Sequence, residues 1–171
     1  MGKPNRQKAK GRIDSPGGFA GIPRVVLSHP DYKGLSGGAT KLLIELASQY
    51  KGNNNGNLTV AFSILKSRGF NSKSTVTRSI NELLDFDLVL VTHTGRFINP
   101  GGVCTLYALS WAAIDDCIGK NLEVNSTVTP PRKFSTEIKA LSSLETGQGS
   151  VQKSGRPSKR DDQGRYTSVQ K

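Results

Sequence analysis

Ser72-Lys-Ser-Thr-Val-Thr-Arg-Ser-Ile-Asn-Glu-Leu-Leu-Asp85 is the stretch on which the fold turns. Val76, Ile80, Leu83 and Leu84 recur at helical spacing, which predicts a helix over about 72–85 with these side chains turned inward. At about 100° of rotation per residue, Ser74, Thr75, Arg78, Asn81 and Glu82 then face outward, with Lys73 and Thr77 on the flanks. Taken singly, the Ser and Thr residues are helix caps and Arg78 a solvated charge, or a partner for Glu82 one turn on. The neighbouring elements give them another reading.

Ala61 to Arg68 forms a second helix of about two turns, with Thr59 as its expected cap. Only Gly69, Phe70 and Asn71 separate it from the 72–85 helix. A turn that short, with Gly, joins two steeply crossed helices in DNA-binding helix-turn-helix units. Further upstream, Ser36 to Tyr50 places Ala39, Leu42, Leu43, Leu46, Ala47 and Tyr50 on one face of a third helix, with Ser36 as cap and the Gly/Asn-rich loop 51–57 as terminator. Downstream, 88–94 and 103–111 are rich in β-branched and apolar residues and flank turn material ending in Asn99-Pro100-Gly101-Gly102, which predicts a hairpin. Its tip, about 94–103 and carrying Arg96, is a wing. Ala112 to Ile118 is expected as a short closing helix, and Tyr107 and Trp111 as core. The fold class is therefore α+β: a winged helix-turn-helix with a three-helix core, a β-hairpin wing and disordered basic tails.

The 171 residues carry 24 Lys and Arg against 13 Asp and Glu, a formal charge of +11 that points to a polyanionic partner. The excess is uneven. Residues 1–18 read as a flexible basic arm, 19–120 as the folded domain and 121–171 as a disordered basic tail poor in large apolar residues. Both ends are expected to seek phosphates. No apolar run is long enough to span a membrane and no signal-peptide core follows the N-terminal charges, which predicts a cytoplasmic protein without membrane contact. Within the tail, Ser-Val-Gln-Lys occurs at 150–153 and again at 168–171. Lys153 to Arg160, with Gly155-Arg156-Pro157, resembles an AT-hook but lacks the Arg usual before the Gly and is followed at once by Asp161 and Asp162, so it reads as a generic solvated basic tail. Phe134, Ile138, Leu141 and Leu144 read as incidental apolar residues of a floppy segment, or as one stripe of a helix that folds onto a protein partner.

The partner that suits the outward side of the 72–85 helix is double-stranded DNA. Arg78 can pair with guanine O6 and N7, Ser74 and Thr75 can meet bases or phosphates, and open helix N-terminal amides favour phosphate. With Asn71 and Ser72 at the helix entrance, the DNA-binding set is Asn71, Ser72, Lys73, Ser74, Thr75, Thr77, Arg78, Asn81 and Arg96. His29, His93, Cys104 and Cys117 lack zinc-site spacing, and no phosphate loop or Ser-His-Asp set is present, so neither metal, cofactor nor enzyme chemistry is expected.

The 74–84 segment, followed by Leu88-Val89 and a hairpin with Arg96, resembles the recognition helix and wing of MarR-like regulators. Phe19-Ala-Gly-Ile-Pro23, Leu42-Leu43, Gln49-Tyr50, Asn54-Asn55-Gly56, Leu65-Lys66, Arg68-Gly69, Gly95-Arg96, Leu106-Tyr107-Ala108-Leu109 and Trp111 are similar, over residues 19 to about 116, to a family of small helix-turn-helix proteins of bacterial phages, plasmids and integrated elements. That resemblance implies DNA binding, either as a sequence-specific transcriptional regulator or as a replication or partition accessory that recruits a protein through its tail. This chain departs from the family at Phe86-Asp87, where Gly is usual between helix and strand.

Overall fold

The computed structural model describes residues 18–97 and 102–145, in a mixed α+β arrangement. By its contacts the chain divides into a unit ending at Ile138 and a second beginning at Lys139. The expected arm over 1–17, the wing tip at 98–101, the AT-hook-like segment and the Ser-Val-Gln-Lys repeats lie outside the described residues.

Two short helices, α1 (Arg24–Ser28) and α2 (Pro30–Lys33), precede α3 (Gly37–Gln49). Ser36 caps α3, its Oγ accepting from the Ala39 N–H at 3.3 Å. Of the expected inward face, Ala39, Leu42, Leu43, Leu46 and Ala47 are buried, and Tyr50 stands half-buried at the C-cap. Leu58–Thr59 forms strand β1, followed by α4 (Phe62–Ser67) and α5 (Lys73–Asp85). Thr59 therefore belongs to a strand, although its Oγ1 still accepts from the Ala61 N–H at 3.2 Å just ahead of α4. Val76, Ile80 and Leu83 of α5 are buried as their spacing requires. Where α3 and α5 cross, a Cβ on Gly38 would stand 2.9 Å from the Ser79 Oγ, so the small residue at 38 sets how closely the helices approach.

The remaining strands are β2 (Val89–His93), β3 (Arg96–Phe97), β4 (Gly102–Val103) and β5 (Leu106–Leu109). β5 is central in an antiparallel sheet of order β1-β5-β2. A one-residue irregularity between Val91 and His93 shifts the β2–β5 register, and the hairpin continues outward as β3 paired with β4. Gly95 is obligatory at the junction, because a Cβ there would lie 2.6 Å from the Thr105 N.

Both ends of the α4–α5–β2 run close with the same turn. After α4, Gly69 takes a φ of 81°, its N–H bonds the Lys66 carbonyl at 3.2 Å and the Phe70 N–H bonds the Leu65 carbonyl at 3.1 Å. After α5, Asp87 takes a φ of 50°, its N–H bonds Leu84 O at 3.0 Å and the Leu88 N–H bonds Leu83 O at 3.0 Å. Each is a Schellman ending with an apolar pair across it, and in the second an Asp occupies the left-handed position. The departure from Gly leaves the turn in place. It does set a carboxylate beside the negative end of α5 and an L side chain where left-handed backbone is costly. Asp87→Gly is expected to raise stability by about 0.5–1 kcal/mol, less than the full left-handed penalty because Gly adds chain entropy. A lower urea midpoint for that variant would overturn this account.

Two expectations need correction. Residues 112–118 do not form a helix. Their carbonyls are taken by another element: the Asn55 Nδ2 donates to Leu109 O, Ala112 O and Ala113 O at 3.0, 3.0 and 2.9 Å, while the Asn55 Oδ1 accepts from the Leu109 N–H at 2.7 Å. The Asn55 main chain also exchanges bonds with Asp115 at 2.7 and 2.8 Å. Asn55 is fully buried, and its amide extends the ladder on β5 beyond the end of β1. Second, the folded unit does not stop at 120. The Glu123 N–H bonds Thr92 O at 2.7 Å, Thr127 N–H bonds Ile114 O at 2.9 Å and Arg132 N–H bonds Ser110 O at 3.0 Å. Residues 121–133 thus run as a strap along the sheet and lead into α6 (Phe134–Glu145), whose first residue, Phe134, is 2% exposed in the core. Few of the strap's residues are apolar; backbone bonds and the polar side chains of Glu123, Thr127 and Arg132 order it.

Candidate nucleic-acid interface

α5 is entered through Ser72, which adopts an extended N-cap conformation but makes no side-chain cap bond. Its Oγ lies 2.6 Å from the Ser74 Oγ instead, so the first amides of the helix keep their donors. Asn71, Lys73, Ser74, Thr77 and Arg78 are exposed, Ser72, Thr75 and Asn81 half-buried. The open side is therefore centred on Lys73, Ser74, Thr77 and Arg78. It is turned away from the line through Thr75 and Glu82 because the start of α3 occupies that line. The Glu82 carboxylate accepts from both the Ser36 N–H and the Ser36 Oγ, each at 2.7 Å. Glu82 thus braces α3 rather than pairing with Arg78, and among the described residues no carboxylate makes a salt bridge to Arg78.

The charge order along α5 opposes its dipole. Lys73 and Arg78 stand toward the positive N-terminal end, the first turn holds no acid, and Glu82 and Asp85 lie toward the C-terminal end. A charge misplaced in a terminal turn, as Lys73 is, costs about 0.3–1 kcal/mol at low salt, and the effect fades by the second turn, where Arg78 stands. The arrangement becomes favourable if a polyanion lies against the N-terminal half. The pattern is wider than the helix: residues 46–81 contain Lys51, Lys66, Arg68, Lys73 and Arg78 and no Asp or Glu.

Arg96 is exposed on β3, opposite Val103. Beside it the strap places Glu123, whose Oε2 accepts from the Thr94 Oγ1 at 2.8 Å. That hydroxyl holds the Glu123 carboxyl below the usual range, and the charges of His93 and Arg96 add to the effect. Arg68 pairs with Glu45 at 3.7 Å. Lys41 of α3 donates to the Gly69 O at 2.8 Å and lies 4.8 Å from the centre of the Phe70 ring. Nothing in the helical pattern singled out Lys41, since its partners belong to the turn between α4 and α5.

Away from this face, Arg132 is the hub of a clasp. Its Nη2 donates to Asp31 at 2.5 Å and to Glu137 at 2.6 Å, its Nε bonds Glu137 at 3.0 Å, and its Nη1 bonds the Phe86 O at the end of α5 at 2.6 Å. The guanidinium also lies over the Phe134 ring at 4.3 Å, and that ring meets His29 edge-on at 5.2 Å. Hydrogen bonding to Glu137 holds Arg132 more firmly protonated than usual, and the same bond lowers the Glu137 pKa. The clasp lines an open cleft with Asp87, Leu90, Ser110 and Pro131, but its guanidinium is already spent on protein acceptors.

Because the Glu137 pKa is depressed on folding, its contribution is present above the unfolded value of about 4.3 and is lost as pH falls through the lower folded value. Glu137→Gln is expected to flatten the decline of stability below about pH 4.5. Equal acid limbs in the two urea series would separate Glu137 from acid unfolding.

Among the described residues, no group of His, Cys, Asp and Glu is placed to hold a metal ion, and no helix is long and apolar enough to cross a membrane. Comparison of the chain with protein-family models, curated proteins and solved structures returns no match.

Proposed function

We propose that the chain is a winged helix-turn-helix protein that binds double-stranded DNA, with α4 and α5 as the helix-turn-helix, α5 as the recognition helix and the β2–β5 hairpin as the wing. The observation that carries this reading is the exposed Lys73–Ser74–Thr77–Arg78 side of α5, set against the helix dipole and free of paired acids. α4 and α5 are joined by the five residues Arg68 to Ser72, with Gly69 in the left-handed position, one or two more than the turn of about three or four residues that joins such helices. Arg96 on the outgoing hairpin supplies a second cation for the phosphate backbone or the minor groove.

On this reading the protein acts by binding, as a sequence-specific transcriptional regulator of a mobile element. Arg78 is the base-reading residue, Ser74 and Thr77 add hydroxyl contacts, and Lys73 meets phosphate. Arg78→Ala is expected to weaken a selected site by about 1–3 kcal/mol while leaving random duplex nearly unchanged. Fluorescence anisotropy on both duplexes at matched salt checks it. Equal losses would reduce Arg78 to a phosphate contact, and no salt-dependent binding of either duplex by the unmodified chain would sink the DNA reading.

A further inference from the structure

Lys41 lies outside the helix-turn-helix, yet its ammonium is fixed at the turn that launches α5. The Gly69 carbonyl takes one of its three protons at 2.8 Å, and the Phe70 ring holds it from one side at 4.8 Å. The residue remains exposed. Its natural carboxylate partner, Glu45 one helical turn on, is drawn to Arg68 at 3.7 Å. Among the described residues Lys41 makes no salt bridge. A Lys side chain held in one place has already lost rotamer freedom that a free lysine would lose on binding. Its carbonyl partner is only three residues ahead of Ser72, at most about 10 Å of extended chain. One turn before Lys41, the close approach of Gly38 to Ser79 and Thr75 brings the start of α3 against α5.

We propose that Lys41 is a DNA-phosphate contact, held in place by the Gly69 carbonyl and the Phe70 ring, and that the DNA footprint thereby extends from α5 across the turn onto α3. The inference rests on the DNA-binding reading above and adds a residue and an element to it. A contact of this kind reads no sequence. It releases counterion instead, so each such contact contributes about 0.9 to the slope of log affinity against log salt.

The test uses the full chain with Lys41→Met, which keeps the aliphatic stem, and Lys41→Arg, which keeps the charge. Both are titrated on a selected and a scrambled duplex over a series of salt concentrations. Lys41→Met is expected to reduce the slope by about one unit on both duplexes without changing their ranking, and Lys41→Arg to restore it. An unchanged slope in Lys41→Met, whatever happens to its melting temperature, overturns the proposal and leaves Lys41 as a cap for the turn. Should Lys41→Met fail to fold, lysine acetylation of the unmodified chain decides: Lys41 protected by DNA supports the contact, and equal modification with and without DNA overturns it. If Lys73→Ala and Arg78→Ala also leave binding unchanged, the DNA-binding reading falls with it; if they weaken binding and the Lys41 tests are negative, only the extension onto α3 falls.

Discussion

A chain ended at residue 120 is expected to lose its cooperative unfolding transition, whereas one ended at residue 145 keeps it. The shorter chain lacks Phe134, which is 2% exposed, and truncation of a buried Phe to Ala alone costs about 3–5 kcal/mol. It also removes the Arg132 guanidinium from the Asp31 carboxylate and the Phe86 carbonyl, part-buried charge-assisted bonds of a kind worth about 1.5–3 kcal/mol each. The Thr92 and Ser110 carbonyls lose their strap partners as well. Against the roughly 5–15 kcal/mol that holds a domain of this kind, those losses are decisive. Urea titration followed by near-ultraviolet circular dichroism distinguishes the two chains, and equal midpoints would show that the strap is dispensable. One practical result is that a DNA-binding comparison meant to remove only the tail must cut after 145, not at 120.

Asn55→Ala is the point substitution with the largest expected loss of stability, about 3–5 kcal/mol, because it orphans several buried groups worth about 1–3 kcal/mol each. The Leu109 N–H loses its acceptor and the Leu109 carbonyl its donor in a buried position, while the Ala112 and Ala113 carbonyls, which are part-buried, lose their donor as well. Asn55→Asp is expected to be at least as harmful despite its shape, since a carboxylate oxygen would then face the three carbonyls now bound by Nδ2. Urea midpoints for both variants check this, and a loss below about 1 kcal/mol in Asn55→Ala would mean that water replaces the amide.

The α3 and α5 helices were legible because a buried helical face writes its period into consecutive residues, and Ser36 announces its cap locally. Asn55 was not. Its loop reads as a helix terminator, and its structural role exists only because Leu109 arrives 54 positions later. The strap was invisible for a related reason: backbone carbonyls and amides common to every sequence hold it, together with side chains such as Arg132 whose partners lie far away in the chain. The exposed polar set on α5 was legible as a group of residue types but not in its rotation. Glu82 reaches back to Ser36 across 46 positions, and the start of α3 covers the line of Glu82 and Thr75, which the helical period alone does not reveal. The Phe86-Asp87 pair stands where the sequence reading looks for a turn residue, and Asp87 takes the left-handed backbone that the turn demands of whichever residue stands there.

The Asp31–Arg132 bond joins residues 101 positions apart. During synthesis at about 5–20 residues per second, the ribosome therefore releases α2 on the order of 5–20 s before the arginine that locks it, and α5 and the hairpin emerge within that interval. Closing so large a loop is entropically expensive and comes late. Over the later part of that interval the nascent protein carries the Thr92 and Ser110 carbonyls and the Asp31 carboxylate without their strap partners. Its exposure to proteases and to premature association is thus set by the speed of translation from the hairpin to Arg132.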